Sequence, residues 1–327
     1  MYMSPIIMMS SMVMVLSTLM VLTSTNWICL WISMELNMFS FIPIMMSTKN
    51  NLECEASIKY FINQAFASCI MIIMSFMLCK MSMFYFAAMP LLVVSMMLKL
   101  GSSPCYMWFP SVMKALPWIQ SMVLATWQKI APMMILLFNI KPLYFMMMII
   151  SMMNIFIGGC TSHKQVNIQS LLAYSSIAHM GWMFSVLTQA ISMVSIIYFI
   201  IYLMILLPVF IMMMSINMKN LKMLMTLHMM PVNIQLSLML MLLSLAGLPP
   251  LSGFLPKLMI LFTMSDYSLT ITLMMVIFSF MSLYFYLNLA FSVMMLHNFN
   301  MNLKLCQEFI ILLYAMIMFM MLQIMKI

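Results

Sequence analysis

Five titratable side chains stand where titration is costly. Glu35 lies in WISMELNMFSF, Lys99 in SMMLKLGSSP, Lys129 in TWQKIAP, His179 in SSIAHMGW and Lys257 in LSGFLPKL, each inside an apolar stretch rather than at its end. A lysine at bilayer depth costs about 2.5–3.5 kcal/mol on insertion scales, and a carboxylate is comparable at the low end. Together Glu35, Lys99, Lys129 and Lys257 would cost about 10–14 kcal/mol, similar to the net stability of an ordinary domain. Neutral side chains avoid that cost, so four retained charges point to a change of protonation as their purpose. Burial disfavours an ammonium and a nearby carboxylate favours it, so moving Glu35 toward or away from Lys99 would switch that lysine between holding and releasing a proton. The carboxyl end of a half-helix also favours a cation. Water and the hydroxyls of Ser, Thr and Tyr would complete a relay.

Plainer roles are also open to these residues. Lys99 and Lys257 could donate to carbonyls freed by neighbouring helix breaks, Glu35 could neutralise a lysine as a static ion pair, and His179 could be a hydrogen-bonded core residue. Lys59, Lys80 and Lys141 fall near helix ends, where lysine stems snorkel to the interface. Lys129, about ten residues from either end of its segment, has no such exit.

The elements that must position these residues are membrane helices. Of 327 residues, 66% are hydrophobic and only 6% charged, with mean hydropathy +1.16. A soluble domain carries about a quarter of its residues as charges, and no soluble fold hides this much apolar surface. Lipid is therefore the solvent. Crossing a hydrocarbon core about 30 Å thick takes about twenty apolar residues. Apolar runs fall at 3–24, 27–46, 57–79, 83–115, 119–139, 142–160, 167–189, 191–215, 233–263, 267–295 and 308–325. The runs are continuous rather than alternating, which predicts an all-α polytopic protein of about eleven helices and excludes a β-barrel. The amino-terminal run is too long for a signal-peptide core and lacks a cationic start, so it reads as a retained helix.

Two segments exceed one plain crossing, and both are interrupted. The fourth contains KLGSSPCYMWFP and the ninth LAGLPPLSGFLPK. Clustered Gly and Pro break helices, and broken backbone at membrane depth must be buried in protein or line a wet cavity. Residues 3–139 and 142–295 thus form two five-helix sets, each broken at its fourth helix, followed by one extra helix at 308–325. Paired interruptions are the signature of inverted repeats within a single integral domain, 1–327. With an odd number of crossings, Lys49, Lys114, Lys164, Lys219, Lys222 and Lys304 fall on the amino-terminal side, with Lys59 close to it; Lys80, Lys141 and Lys326 fall on the other. The positive-inside rule puts the amino terminus on the inner side.

Several chemistries are unsupported. The net charge of +8 comes from 13 lysines scattered singly, with no Arg, which argues against a nucleic-acid partner. The seven cysteines show no C-x-x-C pair and no spacing suited to zinc or an iron–sulfur cluster, so no metal is expected. There is no Gly-rich phosphate loop, G-x-S-x-G elbow or H-E-x-x-H pair, and no redox centre is expected on this chain.

The same stretches carry a resemblance. WISMELNMFSFIPI, EASIKYFINQAFAS, MMLKLGSSPCYMWFPSVM, TWQKIAPMMILL, AYSSIAHMGWM and LSLAGLPPLSGFLPKL, spread over roughly residues 27–262, resemble in order the antiporter-like chain 2 family of NADH:ubiquinone oxidoreductase (respiratory complex I). The resemblance implies a proton-translocating subunit of the mitochondrial inner membrane with its amino terminus toward the matrix. The 56 methionines beside a lack of arginine also fit a genome of the animal mitochondrial kind. Glu35 looks like the family's switch glutamate, paired with Lys99 of the broken helix. Lys129 resembles the bridging lysine, Lys257 the second broken-helix lysine, passing protons laterally or outward, and His179 the central histidine. The family implies FMN, iron–sulfur clusters and ubiquinone on other chains, with neighbouring membrane subunits and lipids such as cardiolipin as partners. One departure is that Gln169 and Ser170 stand where relatives carry Arg-Lys, which puts an inner-side proton-entry or lipid role there in doubt. A Na⁺/H⁺ antiporter subunit and a structural spacer without pumping are the rival readings.

Overall fold

A computed structural model describes residues 5–48, 50–80, 85–138, 143–187, 192–216, 232–249, 251–265 and 267–295. All regular structure among them is helical: α1 Pro5–Thr23, α2 Trp27–Met45, α3 Asn51–Lys80, α4 Tyr85–Leu100, α5 Trp108–Ala115, α6 Trp118–Ala125, α7 Trp127–Phe138, α8 Tyr144–Ser162, α9 Ile168–Leu187, α10 Ser192–Ile216, α11 Val232–Ala246, α12 Phe254–Ser265 and α13 Leu269–Met295. Helices occupy each of the first ten apolar segments. The run 308–325 and Lys49, Lys141, Lys219, Lys222, Lys304 and Lys326 lie outside the described residues. Among the described residues, seven stretches are long and apolar enough to cross a membrane, one of them the combined 118–138.

Packing is inverted relative to a soluble bundle. α1 turns Ser10, Met14, Ser17, Thr18 and Val21 inward, a stripe at helical spacing, and exposes Ile6, Met9, Met12 and Leu16. It packs that stripe on α2 and α7. Small and hydroxylated residues let helices approach closely where lipid makes apolar burial unrewarding, and each hydroxyl is satisfied locally, as when Ser17 donates to the Met14 carbonyl at 2.8 Å. At the centre lies α9, of which every residue except Tyr174 is buried. It contacts α5, α6, α8, α10, α12 and α13.

The two expected breaks end their first halves in the same way. α4 stops at Leu100: Gly101 takes φ +67°, its N–H reaches the Leu98 carbonyl at 3.2 Å and Ser102 N–H reaches Met97 at 3.1 Å. α11 stops at Ala246: Gly247 takes φ +82°, its N–H reaches Ser244 at 3.1 Å and Leu248 N–H reaches Leu243 at 3.5 Å. Both are Schellman stops with glycine in the left-handed position, where a Cβ would be penalised.

A third interruption departs from the sequence pattern. The fifth segment, which reads as one helix with Lys129 at its middle, is two: α6 and α7 meet at Thr126, whose φ, ψ are −112°, −72°. Lys129 N–H there bonds the Thr126 carbonyl in an i→i−3 step. This lies in the turn before Pro132, where the missing N–H and the ring's bulk against the Gln128 carbonyl loosen the ladder. Lys129 therefore begins a half-helix rather than occupying an unbroken one.

Candidate functional site

Each buried lysine sits at an interruption: Lys99 in the last turn of α4, Lys129 in the first turn of α7 and Lys257 in the first turn of α12. Lys99, Lys129, His179 and Lys257 are all buried; Lys129, at 2% exposure, is the most enclosed. Glu35, midway along α2, is half-buried.

Two small cavities gather these groups. The first, ≈ 10 Å³, is lined by Lys99 and Lys129 with Asn37, Tyr60, Gln64 and Gln128. That is about the space of one water-sized sphere. Glu35, one turn before Met38 on its wall, lies within electrostatic reach of Lys99 and Tyr60. No ion pair within 4 Å joins Glu35 to Lys99; among the described residues that contact is made by the exposed Lys59 and Glu55. The second cavity, also ≈ 10 Å³, is lined by His179 and Lys257 with Ser175, Trp182, Ser282 and Tyr286.

The first cavity is framed by amides, which a reading by charge alone does not pick out. Tyr60 hydroxyl donates to Gln128 Oε1 at 3.3 Å, and Gln128 Nε2 donates to Asn37 Oδ1 at 3.2 Å. Carbonyls at the α4 stop also accept from side chains: Gln64 Nε2 donates to Lys99 at 3.0 Å, and Trp108 Nε1 adds a second bond to Leu98 at 3.1 Å. Asn154 of α8 reaches the same break, accepting from Ser103 N–H at 2.6 Å. The sequence signal for these residues is their type: an amide inside an apolar helix needs a partner in the bundle.

The second break is closed differently. Lys257 Nζ donates to the Ala246 carbonyl at 2.7 Å, and a Cβ on Gly247 would fall 2.7 Å from that Nζ. The lysine thus folds back over the carboxyl end of α11, the capping contact anticipated from the break, while also lining the cavity. His179 Nδ1 is 2.8 Å from the Tyr198 hydroxyl, and its ring centroid is 5.0 Å from that of Tyr202. Lys129 and Lys257 both lie within electrostatic reach of His179.

Lys129 lines the first cavity and faces the His179 side of the second across the ring of Tyr202. Its Nζ is fully enclosed without a hydrogen-bond partner among the described residues, 4.7 Å from the centroid of Phe109 and 5.9 Å from that of Tyr202. Along this line stand amines, an imidazole and phenols, groups able to take up and release protons, with a cavity the size of a single water beside Lys99 and Lys129 and another beside His179 and Lys257. Gln169 and Ser170, at the departure from the basic pair, are buried neutral anchors: Gln169 Nε2 donates to the Leu116 carbonyl just past α5, and Ser170 Oγ to Asn167.

The all-helical membrane bundle, with a glycine stop and a lysine at each of its two paired breaks, has an antiporter-like fold. The family model for the NADH:quinone oxidoreductase/Mrp antiporter membrane region matches residues 24–284. The fold is similar to a chain of respiratory complex I from Thermus thermophilus, with TM-score 0.82 and 22% identity over 88% of this chain and 70% of that one. It is also similar to a chain of the Mrp complex from Dietzia sp., with TM-score 0.78 and 15% identity over 87% and 60%. NADH-ubiquinone oxidoreductase chain 2 of Lumbricus terrestris is 39% identical over 294 residues, 89% of this chain and 88% of that protein. The chain belongs to the NADH-ubiquinone oxidoreductase chain 2 family.

Proposed function

We propose that this chain translocates protons within the membrane part of complex I, and that Glu35, Lys99, Lys129, His179 and Lys257 form the relay. The observation that carries this reading is the position of Lys129: an amine at a helix interruption, enclosed on the wall of the cavity that holds Lys99, with the Tyr202 ring between it and His179, which lines the second cavity with Lys257. Residues 3–139 and 142–295 act as two inverted five-helix repeats, each supplying one cavity at its broken helix. Glu35 moves relative to Lys99 and so sets whether that lysine holds its proton. Release at Lys99 passes by water to Lys129, then toward His179 and Lys257. The subunit works in the mitochondrial inner membrane with its amino terminus on the matrix side, beside other membrane subunits and lipids such as cardiolipin. NADH oxidation and quinone reduction occur on other chains, which hold FMN, the iron–sulfur clusters and ubiquinone; no redox centre is assigned to this one.

Lys129→Met tests the relay, because methionine fills a similar volume without a titratable group. In an assembled complex the variant is expected to lower protons moved per electron pair while NADH oxidation continues. Unchanged stoichiometry at normal assembly would overturn the relay and leave the spacer reading. The fold shared with a chain of an Mrp complex supports a second reading, Na⁺/H⁺ exchange. Sodium-driven proton flux from the chain reconstituted alone would favour it.

A further inference from the structure

Among the described residues, no carboxylate pairs with Lys129. Its enclosed amine meets no hydrogen-bond acceptor among the described residues, yet two ring faces lie within the distance at which an ammonium is attracted to an aromatic quadrupole. Each ring is held by a different half of the relay. Phe109 comes from the half-helix after the first break, wedged edge-on against Trp108 with centroids 5.8 Å apart. It lies so close to Gly101 that a Cβ there would fall 2.5 Å from its own. Trp108 is in turn fixed to the carbonyl of Leu98, one residue before Lys99. Tyr202 comes from α10, stacked on Phe199 at 6.4 Å and lying 5.0 Å from the ring of His179.

We infer that Phe109 and Tyr202 form an aromatic seat that holds the Lys129 ammonium by its ring faces in place of a counter-carboxylate, with Phe109 as a positioning residue tied to the first break. This deepens the relay reading and rests on it. A carboxylate would fix the charge in a lasting pair. A ring face attracts the ammonium, accepts no proton and does not compete with the next carrier, so the lysine is occupied without being trapped. Because the Phe109 ring is locked to the α4 stop through Gly101 and Trp108, rearrangement at Lys99 is felt at Lys129. The titratable groups that face Lys129 from the packed elements are Lys99 and Tyr60 across the first cavity, Tyr202 and His179.

The test uses the assembled complex with Phe109→Leu, which keeps an apolar side chain without a ring face, and Phe109→Tyr, which keeps the face. Phe109→Leu is expected to slow NADH-driven proton translocation about thirtyfold, on the scale of a desolvated cation–ring contact. Losing the ring should also move the alkaline limb of the translocation profile to lower pH, whereas Phe109→Tyr stays near wild type in both. A merely structural role would lower the amplitude without moving the limb. If Phe109→Leu fails to assemble, Tyr202→Leu against Tyr202→Phe makes the same comparison from the other ring. Leucine and tyrosine variants with the same rate and pH profile would overturn the seat. Lys129→Met with unchanged translocation would overturn the relay itself, so the two failures are distinguishable.

Discussion

The buried lysines are chemically alike and structurally unlike. Lys257 donates to a backbone carbonyl at 2.7 Å, whereas the Lys129 amine has no hydrogen-bond partner among the described residues. Removing Lys257 leaves the Ala246 carbonyl with a lost charge-assisted bond at a helix end, a loss of about 1.5–3 kcal/mol. Removing an unpartnered buried amine with an isosteric apolar side chain costs little and can stabilise. Lys257→Met is therefore expected to lower the thermal stability of the assembled complex, and Lys129→Met to leave it unchanged or raise it. Equal losses in a thermal-shift measurement would show that Lys129 also has a structural bond in the working complex. The kinds of residue and their depth were legible in the sequence, because a charge inside an apolar run is too costly to be retained without a role. Their partners were not: Gln128 meets Asn37 across 91 residues and Tyr60 across 68, separations at which spacing carries no contact information.

At the scale of elements, the device that serves both breaks is the glycine stop. Left-handed backbone costs a residue with a Cβ about 1–2 kcal/mol, and at Gly101 a Cβ would also collide with Phe109. Gly101→Ala is thus expected to destabilise by about 2–4 kcal/mol, with reduced assembly of the complex as the readout. Gly247→Ala meets the flexible end of Lys257 instead, 2.7 Å from the new Cβ, which can shift. Its expected effect is a smaller loss of stability with displacement of Lys257 from Ala246, seen as reduced proton translocation at near-normal assembly. Both stops were legible because Gly followed by Pro within a long apolar run leaves no other local reading. The α6–α7 interruption was not. Ala125, Thr126 and Trp127 carry no breaker, and Pro132 lies six residues past the junction, where a proline is often absorbed as a kink within one crossing.

For the molecule as a whole, the outward face is apolar and the interior is comparatively polar, as a lipid solvent requires. Most of the architecture followed from that inversion: ten apolar runs became helices, and the interrupted ones carry the lysines. The link between the halves was hidden, because it depends on two rings from α5 and α10 closing on a side chain of α7, a packing result that no local pattern encodes. Proton transfer along this line requires the ionisable groups to face a hydrated interior rather than lipid or dry packing. A structure of the assembled complex, at a resolution that shows ordered water, measures this without an intermediary. Water is expected in both cavities, bonded to Lys99 in the first and to Lys257 or His179 in the second, with Lys129 reachable from each. Dry cavities throughout, or these side chains turned toward the acyl chains, would rule the relay out.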